Sequence, residues 1–546
     1  MRTGLVLMMG VWMGCGGPKD TAEGAETEAS GPTWSADVRA VVAESCTGCH
    51  FSGGAAPFAL ETWEQAAPLA SALAAAVEAG TMPPWSADPD CRSFEDERVL
   101  SDEDVVLLRA WADAGAPEGD PTEPIAPVTT TLDPHQVYTP AVPYTPDFST
   151  SADDYRCQFL DHTFTEETWV TASQVVPGTS QVHHVLVFVL TGDQVDLAEA
   201  QDAADNGPGY TCFSGPIPTA EDGQVPTGGL PGQVGAWVPG ANPLVLGDDE
   251  AVRVDAGARL VMQVHYSAGG SAEALSSETT LGVQLADDTP ASLVVTRPLP
   301  VLDFAIPAGD GAYTASHRFT NWSTETLRVR SVAAHMHLLG RQEHATVHHA
   351  DGGEECLLDI PDWDFSWQQA YMLPQDDAVW VAPGDAVEVA CTWDNSVENQ
   401  PVVDGVLQDP VDVTWGEGTA DEMCLLYLGV VEPYSPSPDP DAPACSEACA
   451  PEASFDELLS CDEMTATCLP CTFDGLLACA QDDCGAQLVG MQDCLETCGL
   501  DTLMLGGAPG DCLVATCPEA YTELLSCTDP LLEDDACAAA LATCGL

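Results

Sequence analysis

The chain has 546 residues and a formal net charge of −73, from 87 acidic residues against 14 basic ones. A surface of this sign repels phosphate backbones and anionic lipid headgroups, which argues against any nucleic-acid-binding function. The length exceeds what one ordinary hydrophobic core accommodates, so several domains are expected.

The N-terminus has the features of an export signal. A basic start at Arg2 precedes a short apolar stretch, residues 5–13. A transmembrane helix needs about 20 apolar residues, so this stretch is too short to span a bilayer. Residues 1–15 are therefore interpreted as a signal peptide. The mature protein is predicted to be exported, and to be periplasmic, anchored to the outer membrane or extracellular.

The end of this signal also suggests a lipid anchor. Gly14 and Cys15 resemble a bacterial lipoprotein cleavage site, at which Cys15 would be lipidated and would attach the protein to the outer membrane. Plain secretion is the alternative, because Trp12 is not the aliphatic residue usual at that point of the motif. Residues 16–34 are small, polar and acidic, and are predicted to form a flexible linker.

The next segment, residues 35–118, combines a helical pattern with a haem-attachment motif. Cys46, Cys49 and His50 have the C-x-x-C-H spacing, in which two thiols bond to the haem vinyl groups and the histidine binds iron. A redox cysteine pair or a disulfide is the alternative, but the adjoining histidine favours c-type haem. Met82, beside two prolines, resembles the distal iron ligand of class I cytochromes c. The segment is predicted to be a compact all-α cytochrome c-like domain.

The middle of the chain has a β pattern. In residues 130–288 and 289–432, short apolar or alternating runs are separated by turns rich in Gly, Pro and Asp. This pattern predicts two successive all-β sandwiches of the jelly-roll type.

A Pro-rich linker, residues 433–444, leads to a cysteine-rich C-terminal segment. In residues 445–546 the cysteines accompany amphipathic helical runs, which predicts a small helical domain held by disulfides. Zinc binding is the alternative, and the absence of histidine there disfavours it. We expect a structural or docking role, and the sequence does not identify what the segment docks to.

Within the β segments stand side chains suited to binding copper. Imidazole is a good copper ligand, and a thioether favours the Cu(I) state. His335 and His337 are two residues apart, so both imidazoles would leave the same face of a strand. A hydrogen-bonded surface pair is the ordinary alternative for one His-x-His motif. Four more side chains of these types in the β segments favour a metal site over that alternative: His183, His184, His265 and Met423.

These motifs occur in the order His-His, Val-His-Tyr, His-x-His followed by Gly-Arg, and Asp-Glu-Met-Cys. In that order they resemble the copper type II, ascorbate-dependent monooxygenases, the family of peptidylglycine α-hydroxylating monooxygenase and dopamine β-hydroxylase. The resemblance covers roughly residues 130–432. It implies an enzyme that inserts one atom of O2 into a substrate C–H bond, with two copper ions and an external reductant, ascorbate or another electron donor.

The resemblance also implies roles for individual residues. One copper would store and pass electrons, held by His183, His184 and His265. The other would react with oxygen and substrate, held by His335, His337 and Met423. Tyr427 would contact the substrate. Two disulfides are implied as well, Cys391–Cys424 and Cys157–Cys212, whereas Cys91 and Cys356 remain unassigned.

Two expectations follow for the site. His183 and His184 are adjacent, so both can reach one ion only if their strand is bulged or bent. Within the family, the peptidylglycine enzymes bind their substrate carboxylate through an Arg and an Asn, and the resemblance puts Ala333 and Leu425 at those positions. Losing the guanidinium removes the carboxylate clamp, so we expect a small, neutral or apolar substrate.

The fused haem segment suggests single-electron delivery to the all-histidine copper. One alternative function is a cell-surface copper and haem protein that transfers electrons or binds a partner without hydroxylation. A second alternative is a copper-free adhesion or scaffold protein.

Six further histidines are predicted not to bind metal. His344, His348 and His349 are expected to be solvated in a hairpin, and His135, His162 and His317 have no partner in the sequence pattern.

Overall fold

The computed structural model describes residues 31–434 with short gaps, and residues scattered between 494 and 522. The gaps are 53–55, 96, 127–130, 150, 152, 213–214, 218–230, 269–272, 366, 401, 404–405 and 417–420. The predicted signal peptide and lipidation site, the Pro-rich linker and most of the cysteine-rich segment lie outside the described residues. None of the helices in the described part has the length and apolar character needed to cross a membrane.

The first described unit is helical, as its pattern predicts. Ser101 caps the last of its helices by accepting from the Asp104 N–H, and Trp34 and Trp111 pack in its core with ring centroids 5.9 Å apart. The helical elements are a π-helical turn Trp34–Val38, α1 Arg39–Ser45, α2 Trp63–Ala66, a 3₁₀ turn Ala67–Leu69, α3 Ala70–Glu78 and α4 Asp102–Asp113.

The helical unit is not the closed module that the sequence predicts. Residues 85–98, here called the strap, leave it and lie on the second β unit. Trp85 and Phe94 pack there around Tyr371, with centroid distances of 5.1 and 5.0 Å to its ring. A disulfide joins Cys91 to Cys356, the two cysteines that the sequence leaves unassigned. The strap lies there because its two large aromatic side chains bury more apolar surface on the sandwich than on short helices.

The first β unit is a sandwich. A five-stranded sheet of order β5-β2-β9-β4-β6 faces the strands β1, β10, β3 and β8 across an apolar core. Its strands are β1 Gln136–Tyr138, β2 Asp153–Thr163, β3 Thr168–Val176, β4 Val182–Leu190, β5 Tyr210–Thr211, β6 Gly232–Trp237, β7 Leu244–Val245, β8 Glu250–Val254, β9 Arg259–Ser267 and β10 Thr280–Ala286.

The prediction of an all-β segment is wrong in one place. Helix α5, Asp193–Ala204, follows β4 and covers part of the five-stranded sheet. Its sequence is rich in Ala and Gln, which form helix readily, and Ala198 is fully buried. The helix therefore results from local propensity together with one small apolar contact face.

The second β unit is also a sandwich. A four-stranded sheet, β13-β19-β15-β16, faces β11, β23, β14 and β17 across the largest core of the described chain. The strands are β11 Ser292–Pro300, β12 Ala305–Ile306, β13 Tyr313–Thr320, β14 Leu327–His335, β15 Gly340–His348, β16 Glu354–Ile360, β17 Ala370–Met372, β18 Val379–Val381, β19 Ala386–Trp393, β20 Val402–Val403, β21 Val406–Leu407, β22 Val413–Thr414 and β23 Leu425–Pro433, with a 3₁₀ turn Val397–Asn399.

One ten-stranded sheet runs through both sandwiches. Its main order is β1-β10-β3-β8-β11-β23-β14-β17, so its two halves each form one layer of a sandwich. The halves meet at a short parallel pairing in which Ser292 stands opposite Glu250. Buried ion pairs of Glu250 with Arg328 and Arg330 reinforce this junction. The two sandwiches are therefore connected by backbone hydrogen bonds as well as by the chain.

The described part of the cysteine-rich segment packs on the second sandwich. Helix α6, Pro509–Thr516, belongs to a region cross-linked by the disulfides Cys494–Cys517 and Cys498–Cys512. Met504 and Leu505 enter the sandwich core, and Asp501 binds His317 at 3.2 Å. This sandwich is thus one surface on which the segment docks.

The Cys91–Cys356 disulfide is expected to hold the strap in place. Changing both residues to serine should lower the free energy of unfolding by about 2–4 kcal/mol, because the bond closes a long loop. It should also speed trypsin cleavage after Arg92, whose side chain is now only 6% exposed. Urea denaturation and timed proteolysis provide the measurements.

The matched control is the Cys157→Ser/Cys212→Ser variant, which removes a disulfide away from the strap. This control should lose stability without faster cleavage after Arg92. Equal cleavage rates in the two double variants would contradict the role assigned to the Cys91–Cys356 bond.

Candidate metal centre

Three imidazoles converge at one end of the five-stranded sheet. The Nδ1 atoms of His183, His184 and His265 form a triangle with sides of 3.2, 3.3 and 3.3 Å. A point at its centre lies about 1.9 Å from each nitrogen, close to the usual metal–imidazole bond of about 2.0–2.1 Å. Among the described residues this is the group whose geometry suits a metal ion. The three side chains therefore fit a bound copper.

A β-bulge produces this convergence. In the pairing of β4 with β9, Val182 stands opposite Tyr266 and His184 opposite His265, so His183 is the extra residue. The bulge turns two adjacent side chains toward the same point, which a regular strand would not do. The bulge expected from the adjacent histidines is thus present.

Neighbouring side chains orient the third imidazole. Asp153 accepts from His265 Nε2 at 3.0 Å, which leaves the His265 lone pair on Nδ1, facing the other two histidines. Tyr155 stacks on the His265 ring, with centroids 4.1 Å apart and planes within 5°. The His265 hydrogen bond also lowers the pKa of Asp153, so the carboxylate stays charged. Sequence reasoning missed both residues, because neither belongs to a recognisable motif.

The charge state of this group favours a cation. Burial lowers the pKa of His184 well below its ordinary value, and the neighbouring His265, His183 and His335 lower it further. Unprotonated imidazoles present lone pairs and do not repel a metal ion.

The second pair of histidines is held at the end of β14. His335 Nδ1 binds Gln368 Oε1 at 2.8 Å, and His337 Nδ1 binds the carbonyl of Asp421 at 3.0 Å. Both partners accept hydrogen bonds, so each Nδ1 carries the proton and each lone pair is on Nε2. The two rings are 5.3 Å apart and almost perpendicular. This pair therefore presents Nε2 atoms, whereas the first group presents Nδ1 atoms.

Two buried carboxyl groups support the backbone of this pair. Glu343 accepts from the His335 N–H, and Glu422 accepts from the N–H groups of His337 and Leu339. Burial raises the pKa of Glu343 well above its ordinary value and that of Glu422 to about 7. Sequence reasoning missed both, although Glu422 directly precedes Met423 and offered a signal.

Met423 precedes the strand that pairs with β14. In that pairing His335 stands opposite Leu425, which is two residues after Met423. Glu422, the residue before Met423, binds the His337 N–H. A disulfide between Cys391 and Cys424 fixes the backbone next to Met423, as the resemblance implied. Both chain neighbours of this methionine are thus held by the second sandwich, and its role as a copper ligand stays a prediction.

The strand residues that flank this pair on the same face of the sheet are uncharged. Ala333 stands opposite Tyr427, and Pro298 stands opposite Tyr427 on its other side. Leu425 is 7% exposed. These residues alternate with the core positions of their strands, so they share the His335 face of the sheet. The predicted proximity of Ala333 and Leu425 is consistent with this register.

The other histidines have partners of their own. His348 binds Glu388 at 2.7 Å and His349 binds Asp385 at 2.9 Å. The expectation that the whole hairpin is solvated is therefore wrong for these two, because carboxylates of the neighbouring strand region lie within reach. His344 is 46% exposed as expected. The remaining three contact protein groups: His135 accepts from the Leu285 N–H, His162 packs against Tyr138 and His317 binds Asp501.

The haem-attachment motif lies after α1. Cys46 and Cys49 are free thiols, and His50 Nδ1 binds the Phe58 carbonyl at 3.1 Å. That bond leaves the His50 lone pair on Nε2, the arrangement that suits binding to an iron. Met82, three residues before the strap, is 43% exposed. The histidine thus fits an iron ligand, while the methionine is not enclosed by the helical core.

The burial of His335 predicts a pH effect on stability. Burial, and then His337, lowers the pKa of His335 to about 4, against about 6.5 in an unfolded chain. In metal-free protein the unfolded chain therefore binds the extra proton first as the pH falls, and stability is lost from about pH 6.5 toward pH 4. Between pH 7 and pH 5 this loss should be on the order of 1–2 kcal/mol.

The measurement compares urea unfolding of metal-free wild type and His335→Asn at both pH values. The raised pKa of Glu422 acts in the opposite direction, since the folded state gains a proton between about pH 7 and pH 4.5. The difference between the two proteins isolates His335. An equal pH dependence in both would contradict the buried, unprotonated state of His335.

Comparison with solved structures provides no functional argument. Similar chains include the major capsid protein P2 from bacteriophage PM2, with 8% identity and a TM-score of 0.24 over 56% of this chain and 99% of that one. A chain of infectious bursal disease virus Gx strain has 9% identity and a TM-score of 0.15 over 59% of this chain and 76% of that one. Paenibacillus xanthan lyase has 11% identity and a TM-score of 0.13 over 60% of this chain and 29% of that one. TM-scores this low do not establish a shared fold. No curated protein matches the chain.

A family model gives the informative match. Residues 305–457 match the model described as copper type II ascorbate-dependent monooxygenase, C-terminal domain. The matched stretch contains His335, His337 and Met423, and covers a little over a quarter of the chain. Residues 305–457 therefore resemble the C-terminal domain of that family, which supports a copper-dependent oxidoreductase of the monooxygenase kind.

Proposed function

We propose that this protein is an exported copper monooxygenase that hydroxylates a C–H bond of a small substrate with O2. The observation that carries the proposal is the triangle of three Nδ1 atoms, together with the family match that spans the second ligand group. Each turnover consumes one O2, two electrons and two protons, and gives the hydroxylated product and one water. An external reductant, ascorbate or another electron donor, supplies the electrons.

Two sets of residues would hold the two coppers. His183, His184 and His265 would hold the first. His335, His337 and Met423 would hold the second, and the thioether would favour its reduced state. Bound copper would supply one-electron redox chemistry and a site for O2. Burial keeps the His184 and His335 imidazoles unprotonated, and hydrogen bonds to Asp153, Gln368 and the Asp421 carbonyl fix the orientation of His265, His335 and His337.

The residues around the second site favour a neutral or apolar substrate. No arginine stands where the family has its carboxylate clamp, since that position is Ala333. The facing residues, Leu425 and Pro298, offer apolar contact, and Tyr427 could contribute a hydroxyl group. A carboxylate placed here would lose its hydration without gaining a charged partner.

We further propose a c-type haem in the helical unit, bonded to Cys46 and Cys49 with His50 as iron ligand. The tautomer of His50 supports this, because the Phe58 carbonyl holds the Nδ1 proton. Met82, which is exposed, is the candidate for a second ligand to the iron. The haem would pass single electrons to the all-histidine copper.

Cys15 is proposed to anchor the exported protein to the outer membrane through a lipid.

The copper content should respond to single ligand changes. Wild-type protein loaded with copper should hold two ions per chain, and His335→Ala should lose one of them and all product formation. His344→Ala is the matched control, because it removes an exposed histidine that is not a predicted copper ligand. Elemental analysis and product detection with isotopic O2 are the measurements. Full copper content and product formation in His335→Ala would contradict the assignment.

The substrate class can be tested with one substitution. Wild-type protein should oxidise neutral hydrophobic compounds and turn over a glycine-extended peptide poorly. Ala333→Arg should improve binding of the peptide by at least tenfold, because it supplies a guanidinium for the carboxylate. Ala333→Gln is the uncharged control of similar reach. Efficient turnover of the peptide by wild-type protein would contradict a neutral substrate.

A second candidate function is electron transfer without hydroxylation. The observation that favours it is the loss of the substrate-binding positions at Ala333 and Leu425. Copper and haem would then be reduced and reoxidised with no product. Reductant consumption coupled to one hydroxylated product per O2 distinguishes the monooxygenase from this alternative.

A further inference from the structure

The helical unit and the first sandwich meet at one tight turn, residues 238–241, here called the docking turn. The Ala241 N–H donates to the Val238 carbonyl at 2.9 Å, and Gly240 has a φ of +80°. With Pro239 at the second position and glycine at the third, this is the pattern of a type II turn. The turn therefore requires a residue that tolerates positive φ.

The docking turn touches a thiol of the haem-attachment motif. A Cβ added to Gly240 would lie 2.6 Å from Cys49 Sγ and 3.1 Å from Arg98 Nη1. The missing side chain is thus what allows the Cys49 sulfur to approach the backbone. Arg98, at the end of the strap, donates to the Gly240 carbonyl. Backbone shape and a charged hydrogen bond together fix this contact.

The same turn begins beside the all-histidine group. Strand β6 ends at Trp237, which stands opposite Val185, the residue that follows His184. Paired residues of neighbouring strands have Cα atoms about 5 Å apart. Gly240 comes three residues after Trp237, so their Cα atoms are at most about 11 Å apart. The docking turn therefore connects Cys49 to the strand next to His184.

We propose that the docking turn is the electron-entry point of the all-histidine centre, with Gly240 and Arg98 as positioning residues. This inference rests on the proposed function, since it requires both the haem and the copper. A haem held by Cys46, Cys49 and His50 would give up one electron at a time, a copper held by His183, His184 and His265 would accept it, and no atom would be transferred. A one-electron donor outside the protein, of the ascorbate class, returns the iron to the ferrous state.

The strap keeps the helical unit close to the docking turn. Cys91–Cys356 and the Glu95–Arg330 ion pair hold the strap on the second sandwich, while Arg98 reaches the first. The helical unit is therefore held near the copper sites within the same chain, and does not have to find them by diffusion. Electron delivery is then independent of protein concentration.

The kinetic test uses Gly240→Ala in protein loaded with haem and copper. The added Cβ meets the Cys49 sulfur and is strained at positive φ, so it should separate the two units. A light pulse with a photoreductant reduces the haem without oxygen, and its visible spectrum reports reoxidation by Cu(II). The rate should fall at least tenfold, with copper and haem contents equal to those of wild type.

Gly257→Ala is the matched control. Gly257 also has a positive φ, +85°, but a Cβ there meets nothing within 4 Å. This variant should keep the wild-type rate. A wild-type rate in Gly240→Ala would overturn the entry point while leaving the monooxygenase intact. Protein that binds copper but no haem would overturn the inference together with the haem part of the proposed function.

A cross-link tests the contact without either cofactor. Gly240→Cys in a Cys46→Ala background should form a disulfide with Cys49, because a disulfide places a Cβ and the far sulfur about 3 Å apart. Peptide mapping by mass spectrometry detects the bond, and Cys49→Ser in the same background is the control. Failure to form it under mild oxidation would contradict the docking of Cys49 on the turn.

Discussion

The close approach of three imidazole nitrogens is the constraint on which the rest of the structure depends. Nitrogens 3.2–3.3 Å apart leave space at their centre for one small ion, and two of the histidines reach that position only through the bulge at His183. His265 has its proton directed at Asp153, so its inward nitrogen is an acceptor. A cation would therefore satisfy lone pairs that the protein alone brings together.

The second ligand group is built by different means. Its histidines extend from the end of a paired strand, and buried carboxyl groups bind the backbone beneath them. The disulfide Cys391–Cys424 fixes the neighbouring strand at Met423. The continuous sheet then sets the position of this group relative to the first, because β8 and β11 hydrogen-bond across the two sandwiches. The two histidine groups thus lie on different sandwiches that one sheet connects.

Much of the candidate site could be predicted from the sequence, because its signals are local. Adjacent histidines imply a bulge, and a His-x-His pair on a strand implies one shared face. The supporting residues could not be predicted in this way. Asp153 is 112 residues from His265, and Glu343 is a common residue type with no motif. Their roles depend on burial and direction, which only the folded chain defines.

The position of the strap could not be predicted from the sequence, for a related reason. The strap pairs Cys91 with Cys356 across 265 residues, and nothing near either cysteine indicates the partner. Its aromatic residues would serve equally well in a cytochrome core. The choice between the two depends on how much apolar surface each offers, which is a property of the assembled fold.

Anomalous X-ray diffraction at the copper edge, from crystals grown with copper, would locate the bound ions. We expect one peak about 2 Å from the Nδ1 atoms of His183, His184 and His265. We expect a second peak among His335 Nε2, His337 Nε2 and the Met423 sulfur. Copper bound elsewhere, with both of these positions lacking a peak, would contradict the two proposed copper sites.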